Sequence, residues 1–428
     1  MADADIIKSV KEIIESDKSR RFIVVSAPGK RYSGDKKITD LLFACHKELL
    51  KYGTCEKSFS IVRSRFSDIA KRLDLECDFN AVLDETLERI IKEKSEQFTA
   101  SRGEYLCGKL VAEYLGVEFI DAQDVIFFND DGTLNSEKTY KAVGRAADKA
   151  VKAVFPGYYG VDDNGKIRTF SRGGSDISGA VVARAVNATL YENWTDVPGF
   201  LACDPHIIDN PKIIETLSYK ELRELSYMGA NVLHSESIFP VRKANIPIQI
   251  KNTFRPQDNG TTIVPTSRYL PDGNTVTGIA GKKNFTVIFI EKSLMNAEIG
   301  FVRKVLSVIE AENISFEHIP TGIDTVSLVI ESEALTELKL SRILEGIKCE
   351  VDPDFIRVIE NIALIATVGH GMSLSAGTSA RLFNAIADAD INIKMIDQGS
   401  SGLNIVVGVK NEDYESCVRA IYNEFFVN

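Results

Sequence analysis

The C-terminal part of the chain is written twice. With an offset of 77 residues (361 − 284), Asn284 falls on Asn361, Gly300 on Gly377, Ile309 on Ile386, Ile314 on Ile391, Ile319 on Ile396 and Gly322 on Gly399. The apolar positions Val287, Val305 and Leu306 fall likewise on Leu364, Leu382 and Phe383. Each copy reads as a strand, a glycine that opens a helix, a second strand, a turn with glycine and a third strand. A period this long means two copies of one small α/β unit, each burying its sheet against helices or against its twin.

The repeat is preceded by RPQDNGTTIVPTSRYLPDGN, a segment rich in residues that break regular structure, which places a boundary near residues 255–275. Before it, short β-branched runs alternate with longer amphipathic stretches, as in layered α/β folds. Phe22–Ser26 is a continuous apolar run suited to a buried parallel strand. Further strands are expected at Val117–Ile120 and Thr189–Trp194, and helices at Ile6–Glu15, Ile38–Lys51, Phe79–Phe98 and Ser136–Val154. Trp194, the single tryptophan, is expected in the core.

Charge and cysteine usage restrict the partners. Lys plus Arg number 51 against 61 Asp plus Glu, a balance of −10, which argues against a nucleic-acid partner. The 7 cysteines are scattered without a CxxC pair, as expected of reduced cytoplasmic thiols. Met1–Lys11 carries Asp3 and Asp5 in place of a basic signal-peptide lead, and no apolar run reaches membrane-spanning length. A cytoplasmic protein without a membrane partner is expected.

Three segments hold residues suited to chemistry. In TFSRGGSDIS (Thr169–Ser178), Gly173 and Gly174 let the backbone approach a ligand, Arg172 offers a fork for a carboxylate or phosphate, and Ser175 and Asp176 precede an apolar helical run. The same residues also suit an ordinary glycine turn with a Ser or Asp helix cap. In TASRGEYLC (Thr99–Cys107), Ser101 and Glu104 have the spacing of a capping box. Arg102-Gly103 between them is a poor first turn, which close approach to a ligand would explain. In ENWTDVPGFLACDP (Glu192–Pro205), Thr195 and Asp196 end a β-rich run, at the strand edge where α/β sheets bind ligands, or else form a plain turn. Walker A, GxGxxG, HExxH and GxSxG patterns do not occur, which excludes the usual P-loop, dinucleotide, zinc-protease and hydrolase readings, and no resident metal site is expected.

Taken in order, these segments resemble the aspartokinases of the amino-acid kinase family. FSRGGSDIS is similar to that family's GRGGSD loop, ASRGEYLC to SxGExLS, and NWTDVPGFLACDP to TDVDGVYTADPR. YKELRELSYMGANVLH (Tyr219–His234) is similar to YxEMxELAxxGAKVLH, and IPIQIKNTF (Ile246–Phe254) to IPxxVRNTF. The duplication resembles the paired ACT regulatory domains of the same enzymes. The implied organisation is a layered amino-acid kinase domain over residues 1–265, with a largely parallel sheet, followed by ACT-like βαββαβ domains over 276–350 and 355–428.

The resemblance implies transfer of the ATP γ-phosphoryl group, with Mg²⁺, to the side-chain carboxylate of L-aspartate, giving 4-phospho-L-aspartate, the first step of lysine, threonine and methionine biosynthesis. It places an aspartate carboxylate on Arg172 and the substrate ammonium on Glu104, with Ser26, Thr39 and Ser175 as hydroxyl contacts beside Gly173 and Gly174. Asp176 orients the site, and Thr195, Asp196, Asn231 and Val232 match nucleotide positions. Leu201, His206 and Asn231 depart from the family's Tyr, Arg and Lys, which puts the nucleotide contacts in doubt. The family's opening KFGG[ST]S loop has no counterpart, and Met1-Ala2-Asp3-Ala4 resembles the residues just after it. The implied working enzyme therefore has residues before Met1; the alternative is a catalytically dead amino-acid sensor.

In the first ACT copy, Met295, Gly300, Phe301, Val302, Ser315, Phe316 and Glu317 match lysine-contacting positions of lysine-inhibited members. HIPTGIDTVSL (His318–Leu328) resembles the monofunctional Gram-positive type, and MIDQGSSGLNIVVGV (Met395–Val409) resembles MIDQGSSExN with Gly402 for the acid. Feedback inhibition by L-lysine and a homodimer or dimer of dimers joined through ACT domains are implied. The chain ends at Asn428, soon after the second copy, so no fused homoserine dehydrogenase is expected.

Overall fold

The structure is a computed structural model that describes residues 1–171, 173–230, 233, 238–266, 269 and 275–427. Arg172, Asn231 and Val232 lie outside the described residues. The chain forms two compact units, residues 1–199 with 232–268, and residues 200–231 with 269–428.

The first unit is built on the strand Ala153–Pro156, buried at every position. It pairs in parallel with Phe22–Val25 on one side and Glu118–Phe119 on the other. A second parallel pair, Tyr191–Thr195 with Ile248–Asn252, continues antiparallel into Thr261–Val264. Helices cover these strands because their apolar residues recur on one face. In Ile38–Tyr52 the buried positions are Ile38, Leu41, Leu42, Cys45 and Leu49, and Gly53 at φ +76° ends the helix with an N–H bond to the Leu49 carbonyl. The expected strands and the first two expected helices occur within two or three residues of their expected bounds.

Three expectations need correction. Phe79–Phe98 is two helices, Phe79–Glu93 and Glu96–Leu115, because Lys94 adopts φ +50° and Ser95 caps the second by accepting from Phe98 N–H. Ser136–Val154 is a helix only to Lys149, after which the residues from Ala153 join the central strand instead. Trp194 is half-buried outside the core, between the Arg20 guanidinium at 5.2 Å and the Lys251 ammonium at 5.4 Å. The helix Glu56–Arg72 was not foreseen; it packs against Ile38–Tyr52 and Phe79–Glu93 and buries Phe59, Val62, Phe66 and Ile69.

In the second unit the repeat shows in the backbone itself. Strands Gly278–Glu291 and Phe355–Val368 lie side by side in one antiparallel sheet with Thr325–Glu331, Asn404–Lys410 and Met395–Asp397. Asn284 and Asn361 share left-handed φ values of +70° and +60°, and Asn313 and Asp390 share +53° and +57°. Gly300 and Gly377, at φ +82° and +87°, open the helices Phe301–Ala311 and Thr378–Asp388. A core of Ile288, Phe301, Val305, Val326, Leu328 and Ile343 fills the space under the first copy's helices.

At Gly377 a Cβ would meet nothing within 4 Å, so substitution there costs only backbone strain. Gly377→Ala is expected to destabilise the second unit by about 1–2 kcal/mol, and Gly377→Asn by less, because Asn tolerates the left-handed region. Thermal unfolding of the three proteins checks the order.

Candidate active site

The parallel strands Phe22–Val25 and Ala153–Pro156 end their carboxyl sides at one cavity, the edge where layered α/β sheets bind ligands. Ser26 follows the strand Phe22–Val25, and Gly157-Tyr158 follows Ala153–Pro156, with Gly157 N–H donating to the Val25 carbonyl at 2.9 Å. The cavity, of about 360 Å³, is lined by Ser26, Ala27, Pro28, Gly29, Lys37, Thr39, Glu104, Tyr158, Gly173, Gly174, Ser175 and Asp176. Seven of the residues singled out from the sequence thus meet in one place: Ser26, Thr39, Glu104, Gly173, Gly174, Ser175 and Asp176.

Two helix N-termini open into this space. One is Gly174–Ala185, preceded by Gly173 at φ +60°, and the other is Ile38–Tyr52, preceded by Lys37; neither first turn has a side-chain cap. Their dipoles, and the first-turn N–H groups other than that of Ile38, which donates to the Pro28 carbonyl at 3.2 Å, favour an anion. The glycines are there for space as well as conformation: a Cβ on Gly174 would lie 2.6 Å from the Tyr158 ring, and one on Gly157 2.8 Å from Ser175 Oγ. Ser178 Oγ ties the two segments together, accepting from Tyr158 N–H at 3.0 Å and donating to the Gly174 carbonyl at 2.9 Å.

Glu104 supplies a group that can take the opposite charge. It stands on the helix Glu96–Leu115, which is buried from Phe98 through Gly108. Ala27 N–H donates to its carboxylate, while Oε2 has no partner among the described residues. Burial pushes the carboxyl up to about 8. Such a group, buried and half-satisfied, suits a ligand that brings its own cation. The capping-box expectation for Ser101 and Glu104 is overturned: the helix begins five residues earlier (101 − 96), and Ser101 Oγ donates to the Phe98 carbonyl at 2.7 Å inside it. Gly103 does mark a close approach, but to protein: a Cβ there would lie 2.8 Å from Ala27 Cβ and 3.2 Å from Ile38 Cγ2.

Asp176 is oriented by a neighbour the sequence reading missed. Asn193 Nδ2 donates to its Oδ1 at 2.9 Å, and Tyr191 Oη donates to its backbone carbonyl at 3.2 Å. Both neighbours come from the strand Tyr191–Thr195, at alternate positions facing the helix. Lys37 and Tyr158 also escaped notice, although Lys37 lies two residues before Thr39 and Tyr158 follows an apolar run and a glycine. Thr195 and Asp196 stand at the end of their strand and are not among the lining residues of the cavity; Thr195 Oγ1 donates to Asp196 Oδ1 at 3.3 Å.

In the second unit, Met295 and Phe301 are core residues, and Gly300 stands at the helix start. A separate depression of about 300 Å³ is lined by Ser315 and Phe316 with Leu306, Ile309, Glu310, Asn313 and Ile314. Glu317 is held by its N–H bond to the Val329 carbonyl at 2.7 Å, and its carboxylate accepts from the Tyr227 phenol. Val302 packs at the edge of the core.

Residues 1–252 match the amino acid kinase family, and residues 365–425 match the ACT domain. Aspartokinase 3 of Bacillus subtilis is 36% identical over 440 aligned positions, covering 100% of this chain and 96% of the relative. The chain belongs to the aspartokinases. The crystal structure of Clostridium acetobutylicum aspartate kinase superposes with a TM-score of 0.94 at 49% identity, covering 99% of this chain and 97% of that one. That of Escherichia coli aspartokinase III in complex with lysine and aspartate (T-state) superposes at 0.75 with 25% identity, covering 99% and 97%. As an aspartate kinase, the enzyme uses ATP to phosphorylate a carboxyl group of aspartate in amino-acid biosynthesis. No helix among the described residues is long and apolar enough to cross a membrane.

The raised Glu104 carboxyl has a pH signature. The folded chain keeps a proton that the unfolded chain releases above about 4.5, so the group costs increasing stability as pH rises from about 4.5 to 8 and a constant amount above. Glu104→Gln, which cannot ionise, is expected to melt higher than the wild type by a margin that widens between pH 5 and 8. Thermal unfolding across that range checks it; parallel curves would show that Glu104 is not buried as described.

Proposed function

We propose that the cavity holds L-aspartate for phosphorylation of its side-chain carboxylate to 4-phospho-L-aspartate. The observation that carries this is the pairing of a buried, half-satisfied carboxylate with two uncapped helix N-termini in one amino-acid-sized space. An α-amino dicarboxylate has one cation and two anions, and the site offers the complement of each. Glu104 would take the ammonium. Thr39, Ser175, Ser26 and the backbone at Gly173 and Gly174 would receive the carboxylates, with Arg172 supplying the fork that the family resemblance assigns to it.

Two anionic reactants must meet, so the chain's contribution is positioning and charge neutralisation. Asp176, fixed by Asn193, would orient the reacting carboxylate and the nucleotide relative to one another. Thr195, Asp196, Asn231 and Val232 are proposed nucleotide contacts. Among the described residues no three His, Cys, Asp or Glu side chains gather as a metal cage. Mg²⁺ would arrive as part of the substrate MgATP, held chiefly by its phosphates and lowering the charge of the transferred group.

L-Lysine is proposed as the feedback inhibitor, at Met295, Gly300, Phe301, Val302, Ser315, Phe316 and Glu317, with Gly300 N–H groups for its carboxylate and Glu317 for an ammonium. The E. coli relative solved with lysine and aspartate supports this reading. Inhibition follows if lysine binds one arrangement of a homodimer, or dimer of dimers, better than another. A cytoplasmic location is proposed with it, and neither nucleic acid nor membrane as partner.

A coupled assay for ADP release with aspartate and MgATP tests the catalytic reading. Turnover with aspartate preferred over glutamate supports it; no turnover, also with the KFGG loop of a relative added before Met1, would favour the dead amino-acid sensor. In the same assay millimolar lysine is expected to lower the rate, and Glu317→Ala to raise the half-inhibiting concentration by about tenfold or more. Because Glu317 also accepts from Tyr227, Tyr227→Phe serves as the control and is expected to leave inhibition largely intact. Inhibition by threonine but not lysine would contradict the effector assignment.

A further inference from the structure

The segment between Ser26 and Thr39 is a basic loop in an acidic chain, carrying Lys30, Arg31, Lys36 and Lys37 against one carboxylate, Asp35. It is pinned from beneath by Arg65, which stands on the helix Glu56–Arg72 and is 4% exposed. Arg65 donates to the Gly29 carbonyl at 2.7 Å and to the Lys36 carbonyl at 2.7 Å, so one guanidinium holds both ends of the loop. It also donates to the Ala2 carbonyl at 3.3 Å and lies 3.6 Å from Asp35. Asp35 in turn accepts from Arg31 Nε at 2.8 Å and Nη2 at 3.2 Å, which holds its carboxyl well below the usual range. Ile38 N–H closes the loop on the Pro28 carbonyl at 3.2 Å.

The product of this scaffolding is Lys37. Lys30, Arg31 and Lys36 do not line the cavity; Lys37 does, and it is the one cation among the described lining residues. Its ammonium forms no ion pair among the described residues. Asp35, the acid closest to it in sequence, is committed to Arg31 and Arg65, while Lys37 shares the cavity with Glu104, Asp176 and two helix N-termini. A lysine on a pinned backbone loses little more than its own side-chain freedom on meeting a ligand, so its charge is used efficiently.

We propose that Lys37 is a substrate-contacting residue whose ammonium meets a carboxylate of aspartate, and that Arg65 and Asp35 are positioning residues that present it. This rests on the cavity being the aspartate site. The test is steady-state kinetics of the full chain, varying aspartate and MgATP separately, for the wild type, Lys37→Met, Lys37→Arg, Asp35→Asn and the double variant. Lys37→Met is expected to raise KM for aspartate about tenfold or more and to leave KM for MgATP within about twofold, as loss of one charge-assisted hydrogen bond would do. Lys37→Arg should recover most of the loss. Asp35→Asn should raise KM for aspartate, and the double variant should be no worse than Lys37→Met alone, since both act through one ammonium. An unchanged KM for aspartate, an equal rise for MgATP, or additive losses would overturn the proposal while leaving the aspartate reading intact. A wild type that does not phosphorylate aspartate would remove both.

Discussion

Glu104 is carried into the protein interior on a helix buried along most of its length, and the arrangement around it follows from accommodating that carboxylate. Gly103 removes the one Cβ that would keep the helix from the Ala27 segment, and so brings Ala27 N–H onto the carboxylate. The neighbouring Arg102 is buried too, with its guanidinium 4.3 Å from the Phe98 ring, 4.5 Å from Tyr105 and 5.1 Å from Tyr159. The aromatic faces and the Ser101 hydroxyl hold that cation, which forms no ion pair among the described residues, and its field opposes the burial cost of Glu104. What remains is a carboxylate left short of one partner. A binding site for an amino group is the complement of that deficit.

The anionic end is assembled from backbone. Parallel strands bring Ser26 and Gly157 to one edge, and two helices begin there without a side-chain cap. Each helix could have carried a Ser or Asp cap at modest gain in stability. Their first turns are instead open to the cavity, a cost that a bound carboxylate or phosphate would offset. The −10 balance of the whole chain is compatible with two anionic substrates because positive potential is concentrated locally, in these dipoles and in the loop that ends at Lys37.

Much of this was legible in the amino-acid sequence, and the exceptions have physical reasons. The repeat could be read because its glycines and asparagines mark backbone conformations, and Gly300 with Gly377, and Asn284 with Asn361, do share left-handed φ. Gly173, Gly174, Ser175 and Asp176 could be read because they are contiguous. Ser101 was misread as a cap because the local pattern fits a capping box, and only the burial of the whole helix shows that it starts at Glu96. The break at Lys94 carries no Gly or Pro to announce it. Asn193, Lys37 and Arg65 were invisible for another reason: each acts across the fold, through a strand neighbour, a cavity or a loop carbonyl, and no local spacing encodes such a contact. In the second unit the same limit applies to Met295 and Phe301, which match a family effector pattern in the sequence and are core residues in the fold.

Glu104 is expected to be protonated in the free site at pH 7 and ionised when an ammonium arrives. Calorimetric titration of L-aspartate at pH 7, in buffers of different ionisation enthalpy, measures the protons exchanged on binding. With the carboxyl pushed up to about 8 in the free enzyme, binding should release close to one proton per site. A binding heat independent of the buffer would mean that Glu104 is already ionised in the free site, against the burial described for it.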